Sequence, residues 1–174
     1  MSGRKILIGV TGSIAAYKAA ELTRLFVKNG DEVTIVMTPA ATEFVRPLTF
    51  QTLSRNPVYV EQFAPPQAWK PEHVALSDWA DAVVVAPATA NTIAKMRFGI
   101  ADNLLTSILL ATRAPLFVAP AMNNGMWESA ATQENVAALR KRGVTVVEPD
   151  DGELACGVSG KGRVASPDAI FAAV

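Results

Sequence analysis

Ile6-Leu7-Ile8-Gly9-Val10-Thr11-Gly12-Ser13-Ile14 decides the fold. Its first five residues are apolar without alternation, the pattern of a strand covered on both faces, as in a parallel sheet. Gly12-Ser13 then marks a turn. Beyond it Ala15, Ala19, Leu22 and Phe26 recur at helical spacing, with Lys18, Glu21 and Lys28 on the other side. Asn29-Gly30 supplies a helix stop, and Val33-Thr34-Ile35-Val36-Met37 reads as a second strand. A strand–helix–strand unit this tight predicts a right-handed parallel crossover.

The pattern repeats downstream. Buried strands are predicted over 82–86, ended by Pro87, over 116–119, ended by Pro120, and over 144–147, ended by Pro149. Helices are predicted over 91–98, 102–112 and 129–142. The stretch 57–73 carries four prolines and reads as an irregular connection. The alternation predicts an α/β fold: a three-layer, doubly wound, mostly parallel sheet of the Rossmann or flavodoxin-like kind, one domain over 1–174.

Composition sets the outer bounds. Of 174 residues 50% are hydrophobic and 18% charged, a globular balance. Sixteen Lys and Arg against 16 Asp and Glu leave no net charge, so neither nucleic acid nor a membrane is an expected partner. A near-zero charge also does little to oppose self-association. Cys156 is the one cysteine, which excludes an intrachain disulfide and points to a reducing compartment. Met1-Ser2-Gly3-Arg4-Lys5 lacks the apolar stretch of a signal peptide, and no apolar run is long enough to span a bilayer. The expectation is a soluble cytoplasmic protein.

In such a fold the ligand lies outside the carboxyl ends of the strands. That rule selects 11–14, 38–40, 87–91, 120–127 and 149–163, the stretches richest in Gly, Ser, Thr, Asn and Pro. At Gly12-Ser13, free backbone N–H groups and the helix dipole favour a phosphate. The turn lacks the third glycine of a dinucleotide site and the Lys-Ser/Thr of a P-loop. The second strand ends at Met37-Thr38 without an acid for a ribose diol. Both departures favour a ligand with a single phosphate, such as FMN, although a plain turn capped by Ser13 fits the motif equally well. In Pro87-Ala88-Thr89-Ala90-Asn91-Thr92, small side chains let a flat ring approach the backbone; an ordinary helix cap is the competing reading.

Pro120-Ala121-Met122-Asn123-Asn124-Gly125-Met126-Trp127 gathers two Met and a Trp at a strand end. Asn123 can orient a carboxylate without supplying charge, while Met and Trp also serve as core filler. In 155–163, three glycines within 157–162 predict a mobile or tightly turned loop, a lid led by Cys156. Lys161 and Arg163 either bind a substrate phosphate and lower the thiol pKa, or are solvated surface charges. His73 is the lone histidine, and one His with one Cys cannot build a typical structural zinc site, so no metal is expected.

Taken together, Gly-Val-Thr-Gly-Ser-Ile-Ala-Ala-Tyr-Lys (9–18), Pro-Ala-Thr-Ala-Asn-Thr (87–92), Ala-Asp-Asn-Leu-Leu-Thr (101–106), Pro-Ala-Met-Asn-Asn-Gly-Met-Trp (120–127) and Ala-Cys-Gly (155–157) resemble the homo-oligomeric flavin-containing cysteine decarboxylases. Within that family the match is to members acting on 4′-phospho-N-pantothenoylcysteine in coenzyme A biosynthesis. The resemblance implies FMN held by Gly12, Ser13, Ile14 and Thr38 at its phosphate and by Thr89, Ala90, Asn91, Thr92 and Ala121 elsewhere. It implies that Asn123 binds the substrate carboxylate, with Ala155, Lys161 and Arg163 also on the substrate. It makes His73 and Cys156 catalytic, Cys156 returning a proton. The implied route oxidises the substrate thiol to a thioaldehyde by hydride transfer to FMN, releases CO2 and reduces the resulting enethiolate. Val164 departs from the family's pattern, which has Met after Gly-Arg. The family implies a trimer or dodecamer in which the counterpart of His73 reaches a neighbour's flavin. It also implies either a freestanding enzyme or the N-terminal half of a bifunctional one with a fused ligase. The alternatives are a peptidyl-cysteine decarboxylase, a flavin prenyltransferase, or a non-enzymatic FMN-binding regulator.

Overall fold

The computed structural model describes residues 3–63, 70–153, 157 and 159–174. The chain runs β1 (Lys5–Val10), α1 (Ala16–Lys28), β2 (Glu32–Met37), α2 (Pro39–Thr42), α3 (Pro47–Ser54), β3 (Val58–Tyr59), α4 (Glu72–Trp79) and β4 (Ala82–Ala88). It continues as α5 (Ala90–Phe98), α6 (Leu104–Ala111), β5 (Leu116–Pro120), α7 (Asn124–Glu128), α8 (Ala130–Lys141), β6 (Thr145–Val146), β7 (Asp150–Glu153), β8 (Ser159–Arg163) and α9 (Pro167–Ala173). Strands β1 to β6 form one parallel sheet in the order β3-β2-β1-β4-β5-β6. Strand order therefore reverses between β1 and β4, the switch point where such sheets open a crevice.

The unalternating strands are buried because helices cover both faces. Ile6, Ile8 and Val10 point to one layer, where they meet Phe26 of α1, Phe50 of α3 and Ile170 of α9. Leu7, Val83 and Val85 point to the other, against Leu76 of α4, Ile93 of α5, Leu105 of α6 and Leu139 of α8. This is the three-layer arrangement that the pattern predicts. Among the described residues, no helix is long and apolar enough to cross a membrane.

Several boundaries differ from the sequence reading. Pro87 does not end its strand, whereas Pro120 is the last residue of β5. β4 runs through a cis Ala86–Pro87 peptide to Ala88, which pairs with Pro120 after a shift of register. Proline is tolerated there because the ladder is already irregular and asks for no N–H at that position. The stretch 57–73 is not wholly irregular: it contributes edge strand β3 beside β2, and His73 stands in the first turn of α4. Helix α6 starts at Leu104, later than expected, because Asn103 and Thr106 make a reciprocal capping box. Where a lid loop is expected over 155–163, Ser159–Arg163 is instead strand β8, which pairs antiparallel with β7 in a hairpin separate from the main sheet; residues 155, 156 and 158 lie outside the described ones.

Candidate functional site

A cleft of about 690 Å3 opens at the carboxyl ends of β1, β4 and β5. The β1–α1 turn lines it with Gly12, Ser13 and Ile14, and α1 adds Tyr17 and Lys18. Thr89 and Ala90 come from the start of α5, and Ala121, Met122 and Asn123 from the segment after β5. The end of the hairpin supplies Gly162, Arg163 and Val164. None of the described lining residues is acidic, whereas Lys18 and Arg163 are cations. The cleft is thus built for an anion, in a volume ordinary for a small-molecule site, roughly 300–1,000 Å3.

Thr11 ties two of these walls together. Its fully buried hydroxyl donates to the Pro87 carbonyl at 2.6 Å and accepts from the Thr89 N–H at 3.0 Å. The β1–α1 turn and the α5 start therefore hold one spacing. Gly12 is confined: a Cβ there would sit 2.6 Å from the Ala40 Cβ, so the turn's backbone lies directly on α2. Ser13 does not cap α1. Its N–H donates to the Thr11 carbonyl at 2.9 Å, its Oγ accepts from the Ala15 N–H at 3.3 Å, and α1 begins at Ala16 without a side-chain cap.

Thr38 stands where β2 passes into α2 and does not line the cleft. Its hydroxyl is buried, the residue 9% exposed, with no hydrogen-bond partner among the described residues. An orphan hydroxyl beside a glycine turn is costly unless a ligand atom satisfies it. Together with the uncapped start of α1, it fits the single phosphate of FMN. The motif at 89–92 divides. Thr89 and Ala90 face the cleft, but Asn91 is exposed outside it, and Thr92 is buried, its N–H donating at 3.3 Å to the Oγ1 of Thr89, which caps the helix.

Asn123 caps α7, its Oδ1 accepting from the Gly125 N–H at 2.8 Å. That bond fixes the amide at the cleft edge, and its NH2 end carries the donors a carboxylate requires. Ala121, buried, donates its N–H to the Ala88 carbonyl at 3.0 Å and so closes the floor. Trp127 is core filler at 5% exposure, whereas Met126 lines the cleft and is exposed.

The hairpin docks through the Met122 N–H, which donates to the Gly162 carbonyl at 3.0 Å. Gly162 adopts φ +149°, and a Cβ there would lie 2.4 Å from the Met122 oxygen, so only glycine permits this approach. Arg163 reaches the cleft. Lys161 is not among the described lining residues: it pairs with Glu148 at 2.9 Å and sits 6.0 Å from the Trp127 ring centre. Val164, the departure from the family pattern, is buried in the cleft floor.

The cation that sequence reasoning missed is Lys18. The helical pattern puts it on the polar side of α1, yet its ammonium donates to the Val164 carbonyl at 3.4 Å. Burial, then the Arg163 guanidinium, lowers its pKa below the ordinary 10.5, against an opposing pull from Asp150 and Glu21. His73 lies on α4, on the sheet face opposite α1, and is not among the described residues lining the cleft of its own chain. Cys156 and Ala155 lie outside the described residues.

Comparison with known proteins places these features. A family model described as Flavoprotein matches residues 1–174. The coenzyme A biosynthesis bifunctional protein CoaBC of Haemophilus influenzae is 47% identical over 174 residues, covering 100% of this chain and 44% of that protein. The chain therefore spans less than half the length of that relative. The probable phosphopantothenoylcysteine decarboxylase of Streptococcus mutans is 46% identical over 170 residues, covering 97% of this chain and 95% of that one. Among solved structures, a cysteine-to-serine mutant of PPC decarboxylase complexed with pantothenoylaminoethenethiol superposes with a TM-score of 0.88 at 34% identity, covering 98% and 96%.

Proposed function

Because the chain belongs to the Flavoprotein family, we propose that it binds FMN in this cleft and decarboxylates 4′-phospho-N-pantothenoylcysteine to 4′-phosphopantetheine, a step of coenzyme A biosynthesis. The observation that carries this reading is the cleft at the β1–β4 switch point, without an acid among its described lining residues and walled by the Gly12-Ser13 turn, Thr89-Ala90 and Ala121-Asn123. The Streptococcus mutans relative, matched over nearly its whole length, supports the reaction, and the ethenethiol held by the solved PPC decarboxylase mutant supports the substrate class.

Gly12, Ser13, Ile14 and Thr38 would hold the FMN phosphate, and Thr89, Ala90 and Ala121 its ring side. When bound, FMN supplies a reversible two-electron sink, which the departing carboxylate needs because an amide-bearing carbon cannot stabilise the resulting carbanion. Asn123 orients the carboxylate. The net reaction replaces the C–COO⁻ bond by C–H, consumes one proton and leaves no net oxidation. Cys156 delivers that proton to carbon, a role supported by the family resemblance. The apolar cleft walls keep water from the reacting carbon. His73 completes the site from a neighbouring copy, and a trimer or dodecamer supplies that copy; that His73 is not among the described residues lining the cleft of its own chain supports this. In longer proteins a ligase domain follows a flavoprotein domain such as 1–174, which the bifunctional relative supports.

Incubation of purified holoprotein with 4′-phospho-N-pantothenoylcysteine, followed by mass spectrometry, should give 4′-phosphopantetheine and CO2 in equal amounts. Unchanged substrate, beside decarboxylation of a cysteine-ending peptide, would reassign the enzyme.

A further inference from the structure

We propose that Lys18 and Arg163 form a second anion subsite in the cleft, which takes the terminal phosphate monoester of the substrate; this rests on the reading above. Both side chains line the cleft, one from α1 and the other from the end of β8. Neither is ion-paired with a carboxylate among the described residues, whereas Lys161 is held by Glu148 and Lys95 by Asp102. Lys18 is half-buried, and its recorded hydrogen bond is a long 3.4 Å contact to a carbonyl. Arg163 acts against the charge of Lys18, with Asp150 and Glu21 pulling the other way, and a phosphate dianion between the two cations relieves their mutual repulsion. Arg163 adds the planar fork that matches phosphate geometry.

The location separates this subsite from the cofactor's phosphate. In the sheet order, β2 and β4 flank β1 on opposite sides. The orphan Thr38 hydroxyl and Ala40 lie on the β2 side of Gly12. Lys18 lies on the β4 side, where it shares a small void with Ala86, Pro87 and Val164. The turn thus presents separate polar groups on its two sides. FMN brings one phosphate, and the proposed substrate brings the other. The substrate carboxylate is accounted for by Asn123, which leaves its phosphate for the cation pair.

The test uses holoprotein and calorimetric titration with 4′-phosphopantetheine and with pantetheine, which lack the carboxylate and differ only in the phosphate. Wild type should bind the phosphorylated compound about 100-fold more tightly. Lys18→Met or Arg163→Met should each cut that preference about tenfold, with pantetheine affinity and FMN content unchanged, and Lys18→Arg should retain it. Inorganic phosphate should compete with 4′-phosphopantetheine and not with pantetheine. The idea is overturned by wild type that binds both compounds equally or neither, by a preference that survives both substitutions, or by an equal loss for both ligands. Loss of FMN from the variants would assign the cations to the cofactor instead, and also overturns it. The decarboxylation reading is judged separately, by CO2 release from wild type.

Discussion

The rim of β1, β4 and β5 and the β7–β8 hairpin face each other across one cleft but are made differently. The rim is backbone and small side chains, buried on both faces of the sheet and cross-tied by Thr11. The hairpin is polar, lies outside the sheet and docks through the Met122–Gly162 bond, with Gly160 packed on Asn124 and Lys161 on Glu148. A cofactor that stays bound is served by walls that cannot move apart. A substrate that must enter and leave is served by cations, one of them on an element attached at few points. On the function proposed above, the rim would set FMN affinity and the hairpin substrate affinity.

Breaking the rim should have the largest effect. Gly12→Val drives a side chain into Ala40 and should lower FMN affinity about 100-fold, read as lost flavin absorbance with circular dichroism retained. Thr11→Val leaves the Pro87 carbonyl and the Thr89 N–H unpaired in the interior. It should cost about 1–3 kcal/mol in urea unfolding and weaken FMN titrations in parallel. Gly162→Ala attacks the hairpin alone, and should raise KM about tenfold while FMN stoichiometry holds. If it instead expels FMN, the two regions are not separable.

The smallest effect should come from the amino-terminal ends of β1 and β2, opposite the cleft. Asp31 is buried, which works to raise its pKa. Hydrogen bonds from Asn29 and from the Arg4 backbone and guanidinium outweigh burial and hold it below the ordinary 3.8. A depressed folded pKa contributes stability above the ordinary value and loses it as pH falls through the folded value. Asp31→Asn should therefore lower Tm at neutral pH, converge with wild type in acid, and leave FMN binding unchanged at every pH.

The rim was legible because strands buried on both faces give unbroken apolar runs, and Gly12-Ser13 interrupts the first at its carboxyl end. Gly12, Ser13, Ile14, Thr89, Ala90, Ala121, Asn123 and Arg163 all line the cleft. Asn91 and Thr92 do not, because one turn of α5 carries neighbouring residues in different directions. The hairpin was illegible because Asp150–Glu153 and Ser159–Arg163 contain no apolar side chain to alternate. Short helices α2 and α3 did carry a signal, since Pro39 and Pro47 occupy their first positions. Lys18 escaped because a long aliphatic stem delivers its charge away from the side its Cα occupies. His73 was singled out in the sequence as the lone histidine and by the family resemblance, and it is not among the described residues lining the cleft of its own chain.

The central claim is that decarboxylation here requires a flavin seated in the cleft. The direct measurement is CO2 release from 4′-phospho-N-pantothenoylcysteine before and after FMN is stripped and restored, with no other oxidant or reductant added. The account predicts that activity vanishes with the flavin and returns in proportion to FMN rebound, reaching its maximum at one per chain. Undiminished CO2 release by the colourless protein, or failure to take up FMN at all, would contradict it.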